Sequence, residues 1–207
     1  MIRLLGTSHI SPESVEQIKE EMDRGPDCVT VELDMSRYQA LKSGERRSSG
    51  GIFFKLLSWL QKRLGKKTGV FPGEEMLTAV ETAQKNDIDS YLIDQPISET
   101  LYDINRIGIK GKLKLVFSSL GLISPVKIDL NEVPSMEIVN KVTGHLKKYS
   151  PEIYRALVEK RDESMAESLE MLSEKYDKIL AVVGVGHIPG MYDLLKKKGL
   201  DVEKTGK

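Results

Sequence analysis

The sequence has one cysteine, no net charge and no long apolar run. The lone Cys28 excludes an intrachain disulfide, and its place in the apolar run 28–31 predicts a small buried residue. The 207 residues contain 31 Lys and Arg against 31 Asp and Glu, so bulk charge does not predict nucleic acid as a partner. No apolar stretch is long enough to span a bilayer, and no signal peptide precedes the first strand-like run. These absences predict a soluble protein.

The charge is unevenly distributed along the chain. Residues 42–68 contain eight Lys or Arg and one Glu, a local excess of seven positive charges. Residues 52–67 combine these charges with phenylalanine, tryptophan and leucine. We therefore predict one domain over residues 1–207 with a basic helical insertion at roughly 48–72. Such a helix could lie on an anionic membrane surface, join two copies, cover a site, or pack in the core with a basic solvated face.

Hydrophobic patterning predicts the α/β class. Strand-like runs occur at residues 2–5, 28–33, 90–93 and 179–183, with a further edge strand at 200–203. Helical patterns occupy the region after Ser11 as far as residue 25, then 73–86, 135–149, 151–176 and 191–198. Three of the strand-like runs are continuously apolar, as strands buried on both faces of a parallel sheet are. We therefore predict a mixed, largely parallel central sheet with an inserted basic helical region.

Polar side chains stand where the predicted strands end. His9, Glu32, Asp94 and His187 each lie at or just past the end of a strand-like run. The carboxyl ends of parallel strands meet at one edge of a sheet, and ligands of open α/β sheets bind outside that edge. Two imidazoles and two carboxylates on one rim predict a metal site or an acid–base site.

The two histidines share a sequence context. Residues 5–10 and 183–188 both read hydrophobe, Gly, two residues, His, Ile, which suggests two related strand-Gly-x-x-His-helix halves. Gly6, Gly184 and Gly186 could supply a positive φ or let a ligand approach the backbone. The plainer interpretation is two unrelated strand-to-helix turns that each happen to contain a histidine.

Arg161 is a second, independent indication of a site. It lies in the middle of the apolar stripe of the predicted helix 151–176, four residues from both Leu157 and Met165. An arginine that faces a core is costly unless it meets a carboxylate or an anionic ligand. We expect Glu32, Asp94 or a substrate oxyanion as its partner, and an arginine that extends to solvent is the alternative.

Weaker candidates lie elsewhere. Asp34, Arg37 and Tyr38 follow Glu32 into what reads as a helix start, where Asp34 is predicted to be an N-terminal helix acid. His145 lies off the apolar face of its predicted helix and is expected at the surface.

Together these motifs resemble the TraB/PrgY family, within the wider TraB/Tiki superfamily. The resemblance covers nearly the whole chain, and its motifs occur in the family's order. The segments that carry it are residues 4–11, 13–15, 31–34, 37–38, 60–65, 73–76, 92–94, 161–166 and 182–190. The chain departs from the pattern at Lys160, where an acid is expected, and at residues 95–96, where Gln-Pro replaces Arg-Asp. These departures leave fewer charges expected around Asp94.

The resemblance implies a function as well as a fold. Bacterial relatives shut down a peptide pheromone, and animal Tiki relatives are proposed membrane-tethered metallopeptidases that use paired Gly-x-x-His motifs and a glutamate. More distant relatives include erythromycin esterases and a haem-binding lipoprotein. The implied catalytic residues are His9, Glu32, Arg161 and His187, and the expected substrate contacts are Gly6, Gly184, Gly186, Asp94 and Arg37.

Two functional hypotheses follow. The first is a metal-dependent, metallopeptidase-like hydrolase of short peptides, in which His9, His187 and Glu32 hold a divalent manganese, cobalt, zinc or iron ion. The second is a non-catalytic module that binds or sequesters peptides at a membrane surface. Expected partners are a short peptide, a membrane surface or a C-terminal membrane domain, and a second copy in a homodimer. The expected location is cytoplasmic or membrane-associated.

Overall fold

The computed structural model describes residues 1–7, 12–43, 73–107 and 136–205. Within these ranges one sheet has the strand order β3-β2-β4-β1-β5, and every neighbouring pair of strands is parallel. The predicted α/β class and the largely parallel sheet are confirmed. The strands are β1 (Ile2–Thr7), β2 (Cys28–Val31), β3 (Asp89–Leu92), β4 (Ile179–Gly184) and β5 (Val202–Thr205).

The helices connect these parallel strands, as parallel pairing requires. Residues 151–173 form one uninterrupted helical stretch in three parts, of which the central part is π-helical. A 3-10 turn, Val185–His187, follows β4 directly. The helices are α1 (Pro12–Asp23), α2 (Met35–Lys42), α3 (Glu74–Lys85), α4 (Ile97–Arg106), α5 (Met136–Tyr149), α6 (Pro151–Tyr154), the π-helical turn (Arg155–Glu159), α7 (Lys160–Ser173) and α8 (Ile188–Lys197).

Helices cover both faces of the sheet because alternate strand residues are apolar on both sides. Ile179, Ala181 and Val183 of β4 face a core formed with α7 and α8. Leu180 and Val182 of the same strand face the opposite core, formed with α1 and α3. All of β2 and β4 is buried, as predicted for continuously apolar strands. The sheet is therefore a rigid central layer whose carboxyl edge can hold a site.

The strands of the two proposed halves, β1 and β4, are neighbours. Gly6 pairs with Val183 and Thr7 with Gly184, so both strands end at the same level. A Cβ atom on Gly6 would lie 3.1 Å from Ile188 Cγ1 and 3.3 Å from Val185 Cα. Gly6 therefore lets the turn after β4 pack closely against β1.

Two described helices differ from the sequence expectation. The helix α2 was predicted only as a helix start at Asp34, and α4 was not predicted. The predicted insertion at 48–72 and the turn that contains His9 lie outside the described residues. Within the described ranges, no helix is long and apolar enough to cross a membrane.

Candidate functional site

The carboxyl edge of the sheet places Glu32 beside Gly184. Glu32 directly follows β2, and its backbone N–H donates to Val182 O on β4 at 3.1 Å. Its side chain turns toward the same strand, where Glu32 Oε2 accepts from Gly184 N at 2.6 Å. Glu32 is 3% exposed, so this carboxylate is held in a fixed position almost out of contact with water.

Arg161 joins Glu32 to Asp94, which follows β3. Its Nη2 donates to Asp94 Oδ2 at 2.6 Å and forms a second short bond to Glu32 Oε1. Its Nε lies 3.1 Å from Asp94 Oδ1. Arg161 therefore meets both of the carboxylates that the sequence offered as partners, and the expectation of a partnered rather than solvent-directed arginine is confirmed.

His187 completes the cluster from the turn after β4. Its Nε2 lies 3.3 Å from Glu32 Oε1 and 3.2 Å from Arg161 Nη1. On the other side of the ring, Nδ1 lies 2.6 Å from Asp162 Oδ1. The Nδ1 side of the ring is therefore held by a buried carboxylate, while Nε2 faces Glu32 and Arg161.

A second arginine extends the cluster along the rim. Asp34 is the N-cap of α2, where its Oδ1 accepts from Ser36 N at 2.8 Å and from Arg37 N at 3.1 Å. Arg37 Nε donates back to Asp34 Oδ2 at 2.7 Å, and Arg37 Nη2 forms a short bond to Asp94 Oδ2. The predicted role of Asp34 as a helix acid is confirmed. Asp94 binds two arginines, so its charged cluster is fuller than Gln95 and Pro96 had led us to expect.

The buried charges alter the acidity of several groups. Burial opposes the charge on His187, but the carboxylates of Glu32 and Asp162 prevail and raise the pKa of its imidazole to about 9. Burial also raises the pKa of the Asp162 carboxyl, although the bond from His187 opposes that rise. Burial likewise works against the Arg161 guanidinium, yet Glu32 and Asp94 raise its pKa above the ordinary value. The surrounding carboxylates therefore favour the protonated form of the His187 imidazole, which would have to give up the proton on Nε2 to ligate an ion.

A π-helical turn sets the direction of Arg161. Lys160 N donates to Arg155 O, which is the bond between residues five apart that defines a π-helix. The carbonyl of Leu157 accepts a bond from Arg161 Nη1 at 3.3 Å. With this contact each of the three guanidinium nitrogens has a protein partner in the described residues.

The structure brings together most of the predicted site. Glu32, Asp94, Arg161 and His187 form one contact network, and Arg37 joins it through Asp94. Gly184 contributes its backbone N–H. Gly6 and Gly186 do not have a positive φ. Of the reasons for a glycine, close approach to its backbone therefore remains for Gly6, and the atoms that approach it belong to the turn after β4 and to Ile188. The predicted ligand His9 lies outside the described residues.

His145 is not the surface residue that the sequence suggested. It is half-buried on α5, and its ring packs 4.3 Å from that of Tyr149. Its Nε2 is buried and has no hydrogen-bond partner among the described residues. The expectation was wrong because the histidine lies where α5 is partly covered.

Asp162 is the site residue that the sequence analysis missed. A regular helix would turn residue 162 about 100° from residue 161, so the two side chains were not expected at one site. Yet Asp162 is 2% exposed and bonds to His187, while Arg161 bonds to Glu32 and Asp94. The signal that could have identified it is an acid directly beside an arginine already expected in the core.

The residues can be tested for a metal by the spacing of their donor atoms. Two ligands of a tetrahedral ion with bonds of about 2.0–2.1 Å lie roughly 3.3–3.4 Å apart. His187 Nε2 and Glu32 Oε1 are 3.3 Å apart, and Asp162 on the other ring nitrogen matches the carboxylate that orients many metal-binding histidines. This spacing is compatible with two metal ligands and equally with the ion pair itself, and Arg161 contacts both atoms, so an ion there would have to share them with the guanidinium. The described residues contain no set of three such ligands, and the predicted third ligand, His9, lies outside them.

The fold and site together define an α/β protein with a buried carboxylate–arginine–histidine cluster at the carboxyl edge of a parallel sheet. The model of the TraB/PrgY/gumN family matches residues 1–204, and the chain belongs to this family. It is similar to the uncharacterized protein MJ1365 of Methanocaldococcus jannaschii, with 34% identity over 221 aligned residues. That alignment covers 98% of this chain and 55% of the relative, so the chain spans about half the length of the curated relative it matches.

Proposed function

We propose that the chain is a metal-dependent hydrolase of short peptides whose reaction centre is the cluster of Glu32, His187 and Arg161. The observation that carries this proposal is the ring of His187, which is held by Asp162 on one side and lies 3.3 Å from Glu32 on the other. A histidine and a glutamate fixed in this way are suited to ligate an ion or to transfer protons.

The cofactor in this proposal is a divalent manganese, cobalt, zinc or iron ion. His187, Glu32 and His9 would hold it, on the spacing of the two described donors. When bound, such an ion polarises a carbonyl and lowers the pKa of bound water. Arg161 contacts the same Glu32 oxygen, so the guanidinium and the ion share one carboxylate.

The protein's own groups have distinct roles. Glu32 ligates the ion or accepts a proton from the attacking water, since both of its oxygens are already oriented by Gly184 and Arg161. The positive charge of Arg161 stabilises negative charge that develops on the substrate. Asp94 holds Arg161 in place, and Arg37 in turn holds Asp94. These two residues form the limit of the substrate site on that side. Among the described residues, apart from its chain neighbours, no atom lies within 4 Å of the position that a Cβ of Gly186 would take, which leaves room for a substrate backbone.

A second candidate is a module that binds or sequesters peptides at a membrane surface without cleaving them. The observation that favours it is Arg161 itself, because each guanidinium nitrogen already has a protein partner. A cluster of charged groups that are all paired with one another can stabilise a binding surface without taking part in a reaction. A membrane contact through residues 52–67 and a homodimer remain predictions, since the basic segment lies outside the described residues.

The decisive experiment combines metal analysis with peptide cleavage. The protein is purified without chelator, its metal content is measured, and a peptide library is searched by mass spectrometry for new termini. The variants are H187A and E32Q, and H145A is the matched control because no hydrogen bond or ion pair joins His145 to the cluster in the described residues. We expect H187A and E32Q to lose metal and to lower kcat/KM by about 10²–10⁴-fold, as loss of a proton-transferring group does.

The outcomes separate the two candidates. Bound metal and cleavage in the wild type and H145A, lost in H187A and E32Q, support the hydrolase. Peptide binding without new termini at any metal tested would contradict it and favour the sequestering module. Cleavage that persists in H187A would remove His187 from the reaction centre.

A further inference from the structure

Asp162 occupies an unusual position between two elements of the site. It is the third residue of α7, and its carboxylate reaches across to the turn and helix that follow β4. One oxygen, Oδ1, meets His187 Nδ1 at 2.6 Å. The side chain is 3% exposed, so water does not compete for this contact.

The other oxygen lies against the first turn of α8. A Cβ atom on Gly190 would lie 2.0 Å from Asp162 Oδ2 and 3.0 Å from its Cγ. The three atoms nearest to that Cβ all belong to Asp162. Only glycine therefore leaves room for this carboxylate, which also lies where the partial positive charge of a helix N-terminus stabilises an anion.

The π-helical turn changes which face of the helix is buried at Asp162. Ile153 before the turn and Ala156 within it are buried, and regular α-helical spacing would next bury residues 160 and 163. Instead Lys160 is half-buried and Glu163 is exposed, whereas the buried positions after the turn are Asp162, Met165, Ala166 and Leu169. The extra residue in the π turn rotates the face of the helix, so Asp162 is directed inward beside Arg161.

We infer that Asp162 is the positioning residue of the site, which keeps a proton on His187 Nδ1 and aims Nε2 at Glu32, and that Gly190 is required to admit it. The inference deepens the proposed function, because it rests on His187 lying at the reaction centre. Its physical basis is the one bond on Nδ1 and the one close approach at Gly190, neither of which involves a metal or a substrate.

The test reads the protonation of His187 Nδ1 directly, in chelator-treated protein with no substrate. In protein labelled with ¹⁵N-histidine, the nitrogen shift shows whether Nδ1 carries a proton, and H187Q assigns the signal. Spectra are recorded at one alkaline pH of about 10, where the imidazole is neutral and the shift shows which ring nitrogen keeps its single proton. We expect that proton on Nδ1 in the wild type and on Nε2, which faces Glu32, in D162A.

Matched variants separate positioning from general destabilisation. E163Q removes a charge at the next residue, which is exposed, and is expected to leave the signal unchanged. D162N keeps an oxygen that can accept from Nδ1 and is expected to rescue the signal that D162A loses. Because D162N is nearly isosteric, it also keeps the test valid if D162A folds poorly.

A double-mutant cycle tests the requirement for Gly190. G190A is expected to lower the Tm and to displace the Nδ1 proton when Asp162 is present. In the D162A background the same change is expected to leave the Tm unchanged or raise it, since the clashing oxygen is gone and alanine favours a helix. Additive Tm changes, or an Nδ1 that stays protonated in D162A at about pH 10, would overturn the inference. Neither outcome depends on whether the protein cleaves peptides.

Discussion

Arg161 and Glu32 are 129 residues apart in the sequence, yet they form a buried ion pair through Nη2 and Oε1. Glu32 comes from the end of β2, and Arg161 comes from the start of α7, which covers one face of the sheet. The pair therefore joins the rim to a covering helix. Removing one member of such a pair leaves a buried charge without its partner, which is far more costly than losing an exposed pair.

The substitution R161M is expected to destabilise the protein by about 3–5 kcal/mol, because Glu32 and Asp94 would each lose a buried cation and keep only His187 and Arg37 as cationic partners in the described residues. R161K should recover only part of the loss, since lysine cannot contact both carboxylates with a planar fork. The measurement is the free energy of unfolding from denaturant titration. R155M, at an exposed position six residues earlier in the same helical stretch, is the control. Equal effects at residues 155 and 161 would mean that the ion pair contributes nothing.

Asp34 is expected to stabilise the fold by two separable effects. Burial tends to raise its pKa, but the bonds from Ser36 and Arg37 lower the pKa below its usual value of 3.8. This contribution is therefore present above about pH 3.8 and is lost as the pH falls through the lower folded-state value. D34N keeps an N-cap acceptor and should cost less than D34A, for which about 0.5–2 kcal/mol is expected from the cap alone.

The pH dependence gives the measurement for Asp34. The difference in unfolding free energy between the wild type and D34N is determined at neutral pH and again at successively lower pH. It should shrink as Asp34 is protonated in the folded state. A difference that stays constant down to the acid transition would show that the charge of Asp34 contributes nothing through Arg37.

The rim of the sheet was predictable because its signals are local. Apolar runs fix where β1, β2 and β4 end, and parallel pairing then brings Glu32, Asp94 and the turn before His187 to one edge. A charged residue in the middle of an apolar helix stripe likewise predicted that Arg161 has a partner. Both inferences depend on burial, which can be recognised in the sequence from the spacing of apolar residues.

The remaining features depend on geometry that the sequence does not display. The place of β4 between β1 and β2 follows from pairings between residues about 150–177 apart, and similar apolar runs do not specify an order. The role of Asp162 was hidden because helical periodicity was extended through a π turn that leaves no compositional signal. The helix α4 differs from these cases, because Ile97, Leu101 and Ile104 recur at helical spacing and its signal was present in the sequence.

Gly73 and Gly144 are expected to respond oppositely to alanine. Gly73 has a φ of +96°, and a Cβ there would lie 3.1 Å from Leu41 Cδ1. G73A should therefore destabilise the protein, by about 1–3 kcal/mol for the backbone conformation alone. Gly144 lies inside α5, and in the described part of the chain no atom outside its own helix turn lies within 4 Å of a Cβ there, so G144A should stabilise by roughly 0.5–1 kcal/mol. Thermal unfolding of both variants checks this, and a G73A variant as stable as the wild type would contradict the left-handed turn before α3.

Cys28 is expected to report on global unfolding rather than on function. Burial raises the pKa of its thiol to about 12, with the nearby charge of Asp89 acting in the same direction. The side chain is fully buried in β2, between β3 and β4. Because the thiolate is the reactive form, a thiol reagent at mildly alkaline pH should label the native protein only through unfolding. The labelling rate should therefore rise with denaturant in step with the unfolded fraction, and R161M should label faster than R155M. Rapid labelling of the folded wild type would mean that this part of the sheet opens locally, without loss of the whole fold.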